Sequence, residues 1–430
     1  MRGDSLWRAV LGVDKTVIED VGFDEDEQVV VVSVRPVARQ RGRCGRCRRR
    51  CPGYDRGRVG RRRWRALDSG TVLVFVEADS VRVECPVHGV VVAHVPWARH
   101  DAGHTYEFDA QVAWLATQTS KSAVTELMRI TWRTVGSIIA RVWADVEAGV
   151  DRFEGLARIG IDEVSYRKHH RYLSVVVNHD TGQLLWAKAG RTKDTMRAFF
   201  DALGPDRSRQ LTHVSCDGAT WITTVVTERA PQAVLCADPF HVVAWATDAL
   251  DTVRREVWNI ARRAPGGSRR EIKGRSVPVN IAQGDARALK RARYALWKNP
   301  ENLTDRQRVK LAWIAKTHPY LHRAYLLKEG LRTVFQLTAP DAKHALQRWL
   351  QWAARCRIPE YVQLARRIRG HLPAIHASLD HSLSNALIES TNTKIRLITR
   401  IAYGFANPDN LIAMAMLTLG GHRPHLPGRP

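Results

Sequence analysis

The sequence predicts an α/β core built on a mixed sheet with a helical insertion, preceded by a strand-rich, metal-binding module and a helical hairpin. Three observations lead there. Residues 156–240 alternate short apolar runs with helix-like stretches in the order strand, strand, strand, helix, strand, helix, strand. Residues from about 240 to 375 turn helical and basic. The first 85 residues hold four of the seven Cys among short alternating runs.

Composition narrows the class. The chain has 430 residues, enough for several domains. It carries 67 Lys and Arg against 43 Asp and Glu, a formal charge of +24, which attracts polyanions such as DNA. The Cys are too few and too unevenly placed for a secreted disulfide scaffold, so metal binding is the better reading of the early four. No apolar run reaches the length of a membrane span, and residues 1–10 lack the core of a signal peptide. The expected location is the cytoplasm.

Taken in order, residues 15–35 read as two strands joined by an acidic turn. Residues 41–65 hold twelve Arg against one Asp, which reads as a solvated loop or a phosphate-binding arm. Arg48, Arg49, Arg50, Arg61, Arg62 and Arg63 are its expected DNA contacts. Residues 71–85 alternate like two more strands. Cys44-x2-Cys47 and Cys85-x2-His88 form two knuckles, and Pro86 and Gly89 favour a tight turn at the second. Two such turns supply the tetrahedral ligand set of a structural zinc ribbon. Cys51, His100 and His104 are alternative ligands.

Residues 107–145 read as helices with a break near Arg129–Thr131. Ser122–Val142 has the outline of a helix-turn-helix. Ala123, Val124 and Leu127 form the expected inner face of its first helix, with Ile130 in the turn and Val135, Ile138 and Ile139 packing the second helix back. Trp132, Arg133, Ser137 and Arg141 would then point outward to a major groove.

Asp162 ends the run ARIGID and Asp217 ends THVSCD, which is followed by Gly and a helix. Strand ends are where α/β sheets place chemistry. If the first and fourth strands are neighbours, as in the ribonuclease-H topology, the two acids meet at one edge. Glu389 supplies a third acid from a late helix, in a polar stripe with Asn385, Asn392 and Arg396 opposite Leu387, Ile388, Thr391, Ile395 and Ile398. Three carboxylates can hold two Mg²⁺ or Mn²⁺ ions for an in-line phosphoryl displacement. Glu163 and Asp238 are rival acids, and Asp238, His241 and Asn392 are expected supports around the ligands. Lys394 and Arg396 add DNA contacts on the late helix.

The Cys-x2-Cys module, the helix-turn-helix and three phrases together resemble the ISL-three family of bacterial insertion-sequence transposases over nearly the whole chain. The phrases are GIDEVSYRKHHRYLSVV, ADPFHVVAWATDALDTVRRE and IESTNTKIRLITRIAYGFANPDNL. The resemblance implies a ribonuclease-H-like catalytic domain of the DDE type, with Asp162, Asp217 and Glu389 matching its acids. It also implies binding of terminal inverted repeats, cleavage and strand transfer on double-stranded DNA, and a homo-oligomer, expected as a dimer. Two departures stand out: His88 where a second Cys pair is commoner, and Gly218 after Asp217 where a bulkier residue is common. The expected domains are 1–105 (zinc-binding), 106–150 (helix-turn-helix), 151–250 with 376–420 (catalytic) and 251–375 (helical insertion). Competing readings are a DNA-binding regulator derived from a transposase and a ribonuclease-H-like nuclease.

Overall fold

The computed structural model describes residues 3–57, 60–167, 171–263, 268–272, 275–279, 285–381, 383 and 386–429. They separate into two compact units, residues 1–152 with 395–430, and residues 153–394.

In the first unit, α1 (Gly3–Leu11) leads into β1 (Thr16–Asp24) and β2 (Val29–Pro36), the antiparallel pair that the acidic turn predicts. β3 (Gly53–Asp55), β4 (Arg61–Arg65), β5 (Leu73–Asp79), β6 (Arg82–Cys85) and β7 (Gly89–Val92) follow. They sort into two sheets, ordered β1-β2-β5-β4 and β3-β6-β7. Alternation in β2 and β5 puts Val32, Val34, Val74 and Val76 on one face, packed with Trp64 and Trp97. Those two rings meet edge to face at 5.6 Å.

The Arg-rich stretch is not an arm throughout. Its last five residues are β4, with Trp64 and Arg65 buried. Pairing with β5 sets Arg63 against Glu77, which accepts its Nε–H at 2.9 Å. Arg62 lies over the Trp64 ring. Charge density alone hides such a strand, because its neutralising acids come from another strand.

α2 (Tyr106–Gln118), α3 (Lys121–Met128) and α4 (Trp132–Gly149) complete the part of this unit that precedes residue 153. Thr105, Ser120 and Thr131 each accept a backbone N–H at the first turn, which fixes all three helix starts. Val124, Val135, Ile138 and Ile139 are buried as expected. Leu127 is not: it is 61% exposed and Met128 takes the inward position. Arg129 then turns left-handed (φ +52°) and closes a short helix whose phase is easily misjudged by one residue.

In the second unit, β8 (Arg158–Arg167), β9 (Arg171–Asn178) and β10 (Leu184–Ala189) form an antiparallel set. After α5 (Lys193–Leu203) and a short α6 (Pro205–Gln210), β11 (His213–Cys216), α7 (Thr220–Arg229) and β12 (Val234–Ala237) extend the sheet. Its order is β10-β9-β8-β11-β12, with β11 parallel to both neighbours. Ile159, Ile161, Val214 and Cys216 share a core with Phe199, Phe200 and Val225 of α5 and α7.

The predicted helical region starts with α8 (Pro239–Arg263) and includes one hairpin, β13 (Ser268–Ile272) and β14 (Arg275–Val279). α9 (Asp285–Lys290), α10 (Arg293–Trp297), α11 (Asp305–Thr317), α12 (Pro319–Val334), α13 (Ala339–Arg355), α14 (Pro359–Gly370) and α15 (Leu372–His381) follow. They share one core around Leu250, Leu327, Leu346 and Tyr361, whose hydroxyl donates to the Ala246 carbonyl at 2.9 Å. Trp349 is buried, Trp245, Trp258, Trp297 and Trp313 are half-buried, and Trp352 is 41% exposed. Most of the six are therefore core.

α16 (Ala386–Ile401) contributes residues to both units. α17 (Pro408–Leu419) packs on α4 and α2 in the first unit. The expected catalytic segment 376–420 is thus divided. An almost wholly apolar helix seals a helical pair as readily as a sheet, so its sequence does not choose between them.

Candidate functional site

The first candidate site is the carboxylate group on the second unit's sheet. Asp162 does not end its strand: β8 continues to Arg167 because β9 pairs with it along that length. What ends near Asp162 is the parallel ladder to β11. Ser215 pairs with Gly160, so Asp217 follows at the level of Asp162. Cys216 pairs with Ala237, so Asp238 follows at the level of Asp217. Three acids therefore line up across neighbouring strands.

Asp162 Oδ1 accepts the Glu163 N–H at 2.7 Å, and Oδ2 accepts from Asn392 Nδ2 at 2.7 Å. Burial pushes the Asp162 carboxyl up to about 6, and the charges of Asp217 and Asp238 add to this. Glu163 rises to about 7, chiefly from burial and then from Asp217, against its ion pair with Arg191 at 3.1 Å. Asp217 accepts the Ala219 N–H at 2.8 Å ahead of α7. Among the described residues, neither Asp162 nor Asp217 is ion-paired to Lys or Arg. Asp238 is more committed: it is 2% exposed, accepts the Phe240 N–H and meets His241 Nδ1 at 2.6 Å. That bond raises the His241 pKa.

α16 brings Asn392 to Asp162, and Glu389 stands half-buried about one turn earlier on the same helix. Asn392 is 2% exposed, and its Oδ1 is buried without a hydrogen-bond partner. Thr391 and Ile388 are buried as the sequence reading has it, whereas Leu387 is 42% exposed. Asn385 lies outside the described residues. Two neighbouring acids, Asp162 and Asp217, without a Lys or Arg counter-charge among the described residues and beside an orphaned amide oxygen suit cations.

Gly160 makes the helix's approach possible. A Cβ there would stand 2.1 Å from Ile388 Cδ1 and 2.9 Å from His179 Nε2. His179 in turn meets Ser215 Oγ at 2.7 Å. A Gly inside a strand marks such close approaches, a signal available in the run ARIGID but not used there. Gly160→Ala is expected to destabilise the protein by about 1–3 kcal/mol and to loosen Asn392 from Asp162. Denaturant melts of G160A, I388A and the double variant check this: the double variant should lose less stability than the two single losses added together.

The second site is the paired knuckle. Cys44 Sγ lies 3.7 Å from His88 Nδ1, Cys47 Sγ 3.7 Å from Cys85 Sγ, and Cys85 Sγ 3.6 Å from His88 Nδ1. All four donors fall within 4.8 Å of one another. A tetrahedral ion with arms of about 2.3 Å has edges of about 3.8 Å, so the cavity is ion-sized. Backbone and His88 hydrogen bonds lower the Cys85 thiol to about 6, which favours a thiolate ligand. Of the alternative ligands, Cys51 directs its Sγ to the Arg49 carbonyl and His104 stacks on Phe108. Gly45 is required at the first knuckle, where a Cβ would lie 2.5 Å from both the Val92 carbonyl and His100 Nδ1. Arg48, Arg49 and Arg50 are exposed beside it.

The third is the pair α3–α4. Trp132, Arg133 and Ser137 are exposed on the first two turns of α4. The Lys121 ammonium lies 5.1 Å from the centre of the Trp132 ring. Arg141 is expected outward as well, but its Nε and Nη2 donate to the two Asp109 carboxylate oxygens, at 2.6 and 2.7 Å. Asp109 is fully buried and also binds Arg99 at 2.9 Å. Arg141 thus balances a buried acid that lies 32 positions away in sequence.

A family profile described as "Transposase" (DDE_Tnp_ISL3) matches residues 159–415. A second, described as "Helix-turn-helix domain of transposase family ISL3", matches residues 93–143. The transposase for insertion sequence element IS1557 of Mycobacterium tuberculosis, from strains CDC 1551 / Oshkosh and ATCC 25618 / H37Rv, is 61% identical, covering 100% of this chain and 98% of its own. The transposase for insertion sequence element IS1001 of Bordetella parapertussis is 28% identical, over 91% of this chain and 92% of its own.

Proposed function

The chain belongs to the ISL3 (ISL-three) family of transposases, and from that premise we propose that it cuts and joins DNA at the ends of its own insertion sequence, using Asp162, Asp217 and Glu389 as metal ligands. The observation that carries this is the register across β8 and β11, which levels Asp162 with Asp217. The placing of the first and fourth strands side by side at the centre of the sheet supports a ribonuclease-H-like reading.

Two Mg²⁺ or Mn²⁺ ions would activate the attacking water or 3′-hydroxyl and stabilise the leaving oxygen. The chain's own residues do the positioning. Asn392 holds Asp162 Oδ2 and leaves its own Oδ1 for a further partner. His241 engages Asp238, which leaves Asp217 the more available of the two neighbouring acids. Glu163 stays with Arg191. The knuckle is read as a structural zinc site that stiffens the Arg48–Arg50 turn against phosphates, with Arg61, Arg62, Lys394 and Arg396 as further backbone contacts. Trp132, Arg133 and Ser137 are read as facing the major groove of double-stranded DNA. The active form is read as a homo-oligomer, a dimer in the simplest case, acting in the cytoplasm. No described helix is long and apolar enough to cross a membrane.

The test is a cleavage assay on duplexes carrying the termini of the element that encodes the chain. Metal-dependent nicking at those termini is the expected result; binding without any cleavage would make the protein a regulator instead. A pH dependence follows from the raised Asp162 carboxyl. Its proton stabilises the metal-free fold below the ordinary Asp range, and that stability is lost as pH rises through about 6. A cation competes with the same proton. Mg²⁺ should therefore raise the melting temperature little at pH about 5 and fully by pH about 8. An equal shift at both would remove Asp162 from the ligand set.

A further inference from the structure

The end of α16 carries an outlier of backbone conformation that neither the knuckle, the α3–α4 pair nor the carboxylates explain. Helix α16 closes with a paired hydrogen-bond motif: the Tyr403 N–H donates to the Arg400 carbonyl at 3.0 Å, and the Gly404 N–H to the Thr399 carbonyl at 2.8 Å. This closure puts Tyr403 in the left-handed region (φ +51°), the place where Gly is the ordinary residue. The Gly comes one position late, at 404. Of the seven described non-glycine residues with positive φ, Tyr403 is the aromatic one.

Packing does not compensate. Tyr403 is 81% exposed, and among the described residues its ring and hydroxyl have no partner. Arg129 makes an instructive contrast. It closes α3 by the same motif and also at positive φ, but its guanidinium binds Asp68 and the Thr71 carbonyl. Strain that the fold does not offset is characteristic of functional positions.

The surroundings point to the occupant. Ala402 and Phe405, on either side of the Tyr403–Gly404 turn, line a small apolar cavity with Lys121 and Ile139 of the α3–α4 pair and Thr119 at the end of α2. Asn410 packs against Gly136 of α4, where a Cβ would lie 2.9 Å from its Nδ2. The turn is therefore fastened to the module that presents Trp132 and Arg133. Arg396 and Arg400 are exposed two turns and one turn before Tyr403 on the same side of the helix, a spacing of four and then three residues. A basic stripe that ends in an exposed aromatic ring suits a phosphate backbone with an adjoining sugar or base.

We propose that Tyr403 contacts the duplex taken by α4, with Arg400 and Arg396 on its phosphates, so that this turn extends the DNA-reading surface. This rests on the reading of α4 as a DNA-binding helix. The test compares the full-length protein with Tyr403→Gly and Tyr403→Asn, both of which tolerate the left-handed backbone. The probes are duplexes tiling both termini of the element, read by fluorescence anisotropy alongside melting temperature and oligomeric state. Y403G should melt roughly 2–4 °C higher, because the strain is gone, yet bind the terminal duplex about tenfold more weakly. Y403N should bind as weakly as Y403G. Unchanged affinity in both variants overturns the proposal. So does a lower melting temperature in both, which makes the ring structural, or a change in oligomeric state without loss of DNA affinity. Failure of the unaltered protein to bind any terminal duplex would instead overturn the reading of α4.

Discussion

Asp162→Asn is expected to reduce metal-dependent DNA cleavage by at least about a thousandfold while leaving affinity for terminal duplexes within about twofold. The substitution removes a carboxylate charge from a place where two metal ions would need it, and it does little else. The Asn side chain keeps the shape of Asp. Its oxygen can still accept the Glu163 N–H, and its amide can donate to the Asn392 oxygen once the Asn392 side-chain amide turns over, since Asn392 presents its Nδ2 to this position in the parent. Burial already disfavours the Asp162 charge, so D162N should melt at or above the temperature of the parent protein. Asp217→Asn and Glu389→Gln should behave alike in cleavage. Substantial Mg²⁺-dependent cleavage by D162N would remove Asp162 from the centre, and the same result for D217N would move the second ligand to Asp238.

Loss of the knuckle metal is the other large effect. Chelation, or Cys85→Ser, is expected to weaken DNA binding by about a hundredfold or more, with loss of ordered sheet signal in circular dichroism. Structural zinc is worth about 10–16 kcal/mol in small folds, more than the net stability of most domains. The core beneath the four donors is small, little more than Cys51, Val83 and the ligands themselves, so few apolar contacts replace the ion. Metal analysis should return one zinc per chain. Release is expected in acid, where protons compete with the metal for the Cys85 sulfur. Full binding after complete removal of the metal would show that the knuckle shapes neither the Arg48–Arg50 turn nor the sheet behind it.

The sequence revealed most where the physics is local. Apolar alternation located β8 to β12, and Ser or Thr caps accompany the helices at 106, 121 and 132. The Cys and His spacing selected four donors that the fold brings together. Partners distant in sequence were hidden. Asp109 decides the fate of Arg141, and Glu77 that of Arg63. Asp162 looked terminal because a charged residue breaks an apolar run, although β9 holds the strand for five more residues. Asn392 was legible as part of a polar stripe, but its burial against Asp162 depends on Gly160 and Ile388 meeting.

The position of α17 has a consequence for biosynthesis. Leu411, Met414 and Leu417 are buried, and the helix that carries them packs on α4 and α2. More than 240 residues separate α4 from α17's segment of the same unit. At about 5–20 residues per second, a ribosome needs on the order of 12–50 s to cover that distance. During that interval the nascent α2–α4 region has an uncovered apolar face, a target for chaperones, and the DNA-reading unit lacks its last helix. A polypeptide that stops short of residue 408 would keep Trp132 and Arg133 but lack the helix that steadies them.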